Sequence, residues 1–313
     1  MIKDEKGIAL ILVLMVIILL VSLVVDFNYA MRVDLTLAAN SRDETKAFYA
    51  ARSGLEMARL TLKDDDPAYD TLSEDWAIFN EHPGFISEKD EARFNGVIKD
   101  ETSKLSINDL VKEEGAVDEN RLKQLQKLFD LLELNPDLID SILDWLDPDD
   151  TTRPFGAEDK YYQDLSPPYP CKDSPLTTME ELLLVKGMTK EILYGYKEKE
   201  GLINFLTIYS NGLVNINTAS SLVLQSLSDR IDGGLAQAII EYRQGEPFKT
   251  VTEIKNVSGV GDEVYSEISA YITVQSSIFS LRIEGQVRGI KKQIFALLRR
   301  DGGMVRPVFW RLE

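Results

Sequence analysis

The 313-residue chain holds one cysteine, Cys171, and one histidine, His82. A single cysteine excludes an intramolecular disulfide and any cysteine-rich zinc site. A single histidine, set before Pro83 in an acidic stretch, leaves little for histidine-based catalysis or metal ligation. Positive charge is also scarce. The 35 Lys and Arg stand against 52 Asp and Glu, a net charge of −17. That balance disfavours nucleic acid as the main partner, because phosphate binding needs a basic footprint. There is no P-loop and no G-x-S-x-G, and Cys171 sits in a proline-rich loop, PPYPCKDSP, with no histidine nearby in sequence. The chain therefore reads as a non-enzyme. From residue 26 to residue 62 there is no proline, and Gly54 is the only glycine, so nothing there breaks a helix.

What is present starts with residues 7–25, GIALILVLMVIILLVSLVV, without one charge. About 20 apolar residues span a bilayer. A removable secretory signal needs a shorter apolar core and a small-x-small cleavage site, which the following residues lack. Apolar positions then continue at helical spacing through Leu35, Ala38, Ala39, Ala47, Phe48, Ala51, Leu55, Ala58 and Leu62. The pattern predicts one helix over 8–62, about 80 Å long, with 8–25 as its membrane part, until Asp64-Asp65-Asp66-Pro67 ends it.

Beyond the helix, residues 64–91 read as acidic and irregular, and EARFNGVIKDETSKLSIN as a strand entering a turn. Helical segments follow over 118–146, with Asn135 as a cap before Pro136, and over 177–200, with a T-x-x-E capping box. At the C-terminus, Phe279, Leu281, Ile283 and Val287 alternate with Ser280, Arg282, Glu284 and Gln286. Arg288-Gly289 makes a turn, KKQIFALLRR returns, and MVRPVFWRL adds an edge strand. The expected fold is α+β: a long N-terminal helix packed on a small antiparallel sheet, with a large inserted α-helical domain. The boundaries read as 1–7, 8–62, 63–104 with a first strand, 105–272 for the insertion, and 273–313 for the closing strands. KLSIND at 104–109 echoes VNINTA at 214–219, which points to a duplicated helical unit.

Two constellations could carry chemistry. Asp144, Asp147, Asp149, Asp150, Glu158 and Asp159 fall within sixteen residues. Counted from Asp147, oxygens at positions 1, 3, 5 and 12 match an EF-hand loop, although Thr152 replaces the glycine expected at position 6. Clustered carboxylates repel one another without a cation. The spacing leaves two readings open, a solvated acidic loop or a calcium site with Asp147, Asp149, Asp150, Glu158 and Asp159 as candidate ligands, and it does not fix which of them ligate. The second constellation is VSGVGDEVYSEI, which resembles a helix-hairpin-helix turn whose backbone N–H groups suit a phosphate. Between Asn215 and Tyr271, however, four basic residues face eight acids, and Asp262 and Glu263 directly follow the Gly-Val-Gly.

Resemblance adds to this reading. The leader MIKDEKG, ending in Gly7 before the apolar run, resembles the type IV pilin and pseudopilin N-terminus. That likeness implies cleavage by a prepilin peptidase between Gly7 and Ile8 and methylation of the new amino terminus. Most pilins carry Glu at the fifth mature position, where this chain has Leu12. In pilins that Glu pairs with a neighbour's terminal amine, and a tip subunit has no neighbour above it. The missing Glu, the acidic block D-W-x-D-x-D…G-A-E-D-x-Y-Y, LLLVKGMTKEI and LTIYSNGLVNINTAS are similar to the minor pseudopilin K family of type II secretion. The likeness implies the pilin fold with a SAM-like or helix-hairpin-helix-like insertion, calcium in some members, and a structural role at a pseudopilus tip. It also implies partners among other minor pseudopilins, the major pseudopilin and the prepilin peptidase, and an inner-membrane anchor with the body in the periplasm. The segment V-N-I-N-T-A, A-x-x-I-I-x-Y-R, G-V-G also resembles the competence DNA receptors, which makes a membrane-anchored DNA receptor the rival reading.

Overall fold

The computed structural model describes residues 5–89, 91–112 and 114–313. Helix α1 (Glu5–Asp64) carries the apolar and amphipathic segments as one uninterrupted element, about 90 Å long at 1.5 Å per residue. It begins inside the expected leader 1–7, of which residues 1–4 lie outside the described residues. Every residue from Gly7 to Ala38 is exposed. Burial starts at Asp43 and recurs at Ala47, Ala51, Leu55, Ala58 and Leu62. The predicted stripe is thus split: Leu35 and Ala38 stand free, because no strand reaches them, and only the second part meets the sheet.

That sheet has five antiparallel strands, in spatial order β1 (Gly84–Ser87), β2 (Ala92–Asp100), β3 (Ile278–Val287), β4 (Ile290–Asp301) and β5 (Met304–Leu312). The alternation in β3 places Phe279, Leu281 and Ile283 in one core with Ala51, Leu55, Ala58 and Leu62 of α1. Gly285 marks the closest approach. A Cβ there would lie 2.1 Å from the Ala47 carbonyl oxygen and 2.3 Å from the Ala51 nitrogen. The turns Arg288-Gly289 and Gly302-Gly303 have positive φ at both residues, the two-residue hairpin hand that suits strand twist. Pro307 lies at a register shift in edge strand β5, where a missing N–H is tolerated. Strand β1 lies within the stretch that reads as irregular. Its four residues, GFIS, have no alternation of their own and are held by β2.

Strands β2 and β3 are neighbours in the sheet, and the helical body enters and leaves between them, over residues 101–277. Its helices are α2 (Glu119–Leu131), α3 (Asp137–Leu146), α4 (Asp159–Gln163), α5 (Lys190–Tyr194), α6 (Ser221–Ser226), α7 (Gly233–Gly245) and α8 (Asp262–Ile268). The segment 177–200 is not one helix. It is a 3-10 turn over Met179–Leu184, then α5, then a small hairpin over 195–200. Gly187 and Gly195 take φ of +83° and +91°, which breaks the helical path. The Glu181 carboxylate accepts from the Thr177 and Thr178 nitrogens, as a capping box requires.

The faint echo in sequence is a duplication in space. Leu105–Ser106 pairs parallel with Leu206–Thr207, and Val214–Asn215 pairs parallel with Ile272–Thr273. Asn108 donates from Nδ2 to the Leu176 oxygen at 3.0 Å and accepts from the Leu176 nitrogen at 2.8 Å. Asn217 does the same with Phe248, at 2.8 and 2.9 Å. Each unit is therefore closed by a two-residue ladder and pinned by one asparagine three residues after the first residue of its ladder, Leu105 or Val214.

A buried polar junction sets the helical body on the sheet. Asp100 accepts from the Thr218 hydroxyl at 2.5 Å and the Ser276 hydroxyl at 2.6 Å. Asp70 accepts from the Ser276 nitrogen at 2.6 Å and pairs with buried Arg300. Burial is the largest effect on Asp70, whose pKa is pushed up to about 7 despite that pairing.

Candidate functional site

The acidic segment is organised by α3. The Asn135 side chain accepts from the Asp137 nitrogen at 3.1 Å and caps the helix. Leu138, Ile139, Ile142, Leu143, Trp145 and Leu146 are buried in the body. Trp145 meets Tyr162 of α4 edge-on, with centroids 5.0 Å apart. This contact brings the end of α3 against the start of α4. Asp144, in the last turn of α3, and Asp147, just beyond it, therefore face Glu158, just before α4. Asp144, Asp147 and Glu158 are 0%, 1% and 3% exposed. Gly156 permits the approach, since a Cβ there would lie 1.8 Å from Asp144 Oδ2.

One cation serves this group. Arg153 Nη1 donates to Asp144 Oδ1 at 2.6 Å and also bonds Asp147. Across the site, Asp173 and Cys171 come from the proline-rich loop, within 4.8 Å of Glu158 in ligand-atom distance. Four buried carboxylate oxygens of this group have no hydrogen-bond partner among the described residues: Asp147 Oδ1, both oxygens of Glu158, and Asp173 Oδ1. Burial first, then the charges of Asp144 and Asp147, push Glu158 up to about 8. Asp144 and Asp173 are raised as well, chiefly by burial. Burial raises the Cys171 thiol far above its usual range, which disfavours the thiolate.

The sequence-predicted set is thus divided. Asp147 and Glu158 lie in the buried group, and Asp159 lies at its rim, accepting from the Cys171 nitrogen at 2.7 Å. Asp149 and Asp150 are exposed, and Asp149 turns back to the Thr151 nitrogen at 2.7 Å. The loop does not wrap as an EF-hand. Asp173 falls outside the predicted set because it stands fourteen residues past Asp159, in another loop, and no local spacing signals it.

The helix-hairpin-helix unit presents few free cations. Arg230 pairs with Glu263 and Glu267, each at 2.8 Å, and Lys255 with Asp262 at 2.5 Å. Arg243 is buried and donates to the Ile216 oxygen at 2.6 Å. Asp262 and Glu263 occupy the first turn of α8, where a phosphate would have to lie.

Two stretches of the chain match known family descriptions. The family description "Type II secretion system (T2SS), protein K" matches residues 103–197, and "Helix-hairpin-helix motif" matches residues 210–273. The chain is 23% identical to Type II secretion system protein K of Aeromonas hydrophila, over 96% of this chain and 98% of that one. It is 42% identical to ComE operon protein 1 of Bacillus subtilis (strain 168), but over only 20% of this chain and 31% of that one. In fold it matches a chain in the crystal structure of the GspK-GspI-GspJ complex from the enterotoxigenic Escherichia coli type 2 secretion system. The TM-score is 0.70 at 19% identity, over 88% of this chain and 99% of that chain. The likeness to the competence protein covers a fifth of the chain, whereas the likeness to the secretion protein covers nearly all of it. The likeness that spans nearly the whole chain is thus to type II secretion system protein K.

Proposed function

We propose that this chain is the minor pseudopilin that caps the tip of a type II secretion pseudopilus, a structural part of the machine that exports folded proteins across an outer membrane. The observation that supports it most is the division of α1: residues 7–38 are free of the body, and those from Asp43 onward are locked to the sheet. A fibre subunit offers such a free half to its neighbours. Among the described residues, α1 is the one helix long and apolar enough to cross a bilayer, so the subunit waits in the inner membrane with its body in the periplasm. Leu12, in place of an acid, removes the group that would pair with a subunit above.

The partners in this reading are other minor pseudopilins, in keeping with the solved complex that this fold resembles, and then the major pseudopilin. Prepilin peptidase would cut after Gly7 and methylate Ile8. The test is intact mass of the N-terminal peptide from cells with an active prepilin peptidase. A methylated Ile8 terminus is expected. An uncut Met1, or a cut beyond residue 25, would return the chain to a plain membrane anchor. The competence-type reading is weaker, since Arg230 and Lys255 of its hairpin unit are paired with acids and Arg243 is buried, which leaves Lys249 as the exposed cation.

Calcium fits the acidic group. Orphaned buried carboxylate oxygens are costly, and a hard cation takes oxygen ligands at flexible geometry. Asp144, Asp147, Glu158 and Asp173 would hold it, with Asp159 at the rim. The ion would supply the positive charge that Arg153 alone does not. These residues join α3, α4 and the proline-rich loop, so their role is to order the first helical unit.

A further inference from the structure

A large groove lies between the outer face of the sheet and the helical body, on the side away from α1, with a volume of about 910 Å³. Its floor crosses four strands, β2 to β5, in two rows. One row runs Val97, Arg282, Phe295, Arg311, and the next runs Lys99, Ser280, Leu297, Phe309. Tyr209 and Met179 of the helical body form part of the opposite wall. Three strand steps make about 14 Å, the length of four or five extended residues.

The charge of this groove departs from that of the molecule. The chain carries −17, yet the groove holds four cations, Lys99, Lys104, Arg282 and Arg311, and three acids. Two of those acids are already engaged. Glu101 accepts from Thr207 at 2.8 Å and Ser280 at 2.6 Å and pairs with Lys104, and Glu284 pairs with Lys291. Glu180 is the third. Arg311 lies over the Phe295 ring at 5.3 Å and bonds Glu313. Among the described residues, Lys99 and Arg282 have no ion-pair partner. Arg282 stands directly beside Phe295 in the register, so a free guanidinium borders an aromatic floor. Phe309 is 44% exposed at the open end.

We infer that this groove is a docking site for an acidic segment of another protein that carries large apolar side chains. The apolar anchors lie on Phe295, Leu297 and Phe309, and the flanking carboxylates meet Arg282 and Lys99. Apolar anchors in a desolvated slot supply affinity, and charges at the rim supply orientation and selectivity. The inference does not depend on the tip reading, because it uses neither α1 nor the acidic cluster.

The test uses the full chain in neutral-lipid nanodiscs and a fluorescein-labelled octapeptide, Gly-Glu-Asp-Phe-Glu-Leu-Glu-Gly, read by anisotropy. Saturable binding is expected, weakened roughly tenfold or more by Arg282→Glu and by high salt. Phe309→Ser is expected to weaken it too, and both residues are exposed, so circular dichroism should stay unchanged. Peptides with Lys for Glu, or Ser for Phe and Leu, are expected not to bind. No saturable binding up to about 1 mM, equal binding by the Lys peptide, or binding indifferent to Arg282→Glu would each overturn the site. A concentration-dependent dimer that excludes the peptide would overturn it in favour of a second copy of this chain.

Discussion

Glu158→Gln tests the acidic cluster most directly. The Glu158 pKa is pushed up to about 8 from an ordinary 4.5, which corresponds to about 5 kcal/mol at 1.36 kcal/mol per pH unit. The sign follows from the direction of the shift. The folded state holds the proton that the unfolded chain releases above about 4.5, so stability falls as pH rises between 4.5 and about 8 and then levels off. Asp144 and Asp173, raised by burial, add the same sign. Calcium bound at the proposed site would act against this, because it would favour the ionised cluster and stabilise the folded state by mass action, by about 2.7 kcal/mol at a hundredfold excess over its Kd. The assay is urea unfolding followed by the emission of Trp145, which is buried beside Tyr162 within the helical body. With chelator, the wild-type midpoint is expected to fall between pH 5 and pH 8, and calcium to restore it at pH 8. Glu158→Gln keeps the shape without the charge. Without calcium it should be more stable than wild type at pH 8, and its calcium response should be small. A wild-type midpoint that does not move between the two pH values, or a Glu158→Gln variant with the full calcium response, would refute the reasoning.

Other consequences are equally specific. Gly156→Ala places a methyl group against Asp144 Oδ2, so calcium affinity measured by calorimetry is expected to drop roughly tenfold or more. Gly285→Val drives a side chain into the α1 backbone at Ala47 and Ala51; a loss above about 3 kcal/mol is expected in thermal melting, and melting like wild type would contradict the packing described. Arg300→Ala leaves Asp70 buried without its cation, at a cost of about 3–5 kcal/mol. Protonation of Asp70, whose pKa is about 7 even with Arg300 present, should recover part of that loss at pH 5, and an equal loss at pH 5 and pH 8 would argue against the pairing.

Much of this was legible in the residues, and the reasons are local. A helix from the apolar run to Leu62 needs only an unbroken pattern and no proline, and α1 follows it. The closing strands needed alternation and turn residues, and Arg288-Gly289 provides the turn between β3 and β4. Gly187 and Gly195 lie inside the segment that reads as one helix, and their positive φ values, not visible in periodicity, break it. Strand β1 exists only because β2 offers an edge.

The tertiary structure decided what depends on distant residues. It ends contact between helix and body near Asp43, because the sheet extends no further along α1. It buries Asp147 and Glu158 beside Asp173 and leaves Asp149 and Asp150 exposed, because Trp145 against Tyr162 turns two helix ends and a separate loop toward one point. It converts a six-residue echo into two ladders with matching asparagine pins. It also makes a groove from strands and turns more than seventy residues apart in sequence. Periodicity reports which face of an element is apolar. Which faces and charges converge is settled only when chain closure brings those elements together, and that information is long-range.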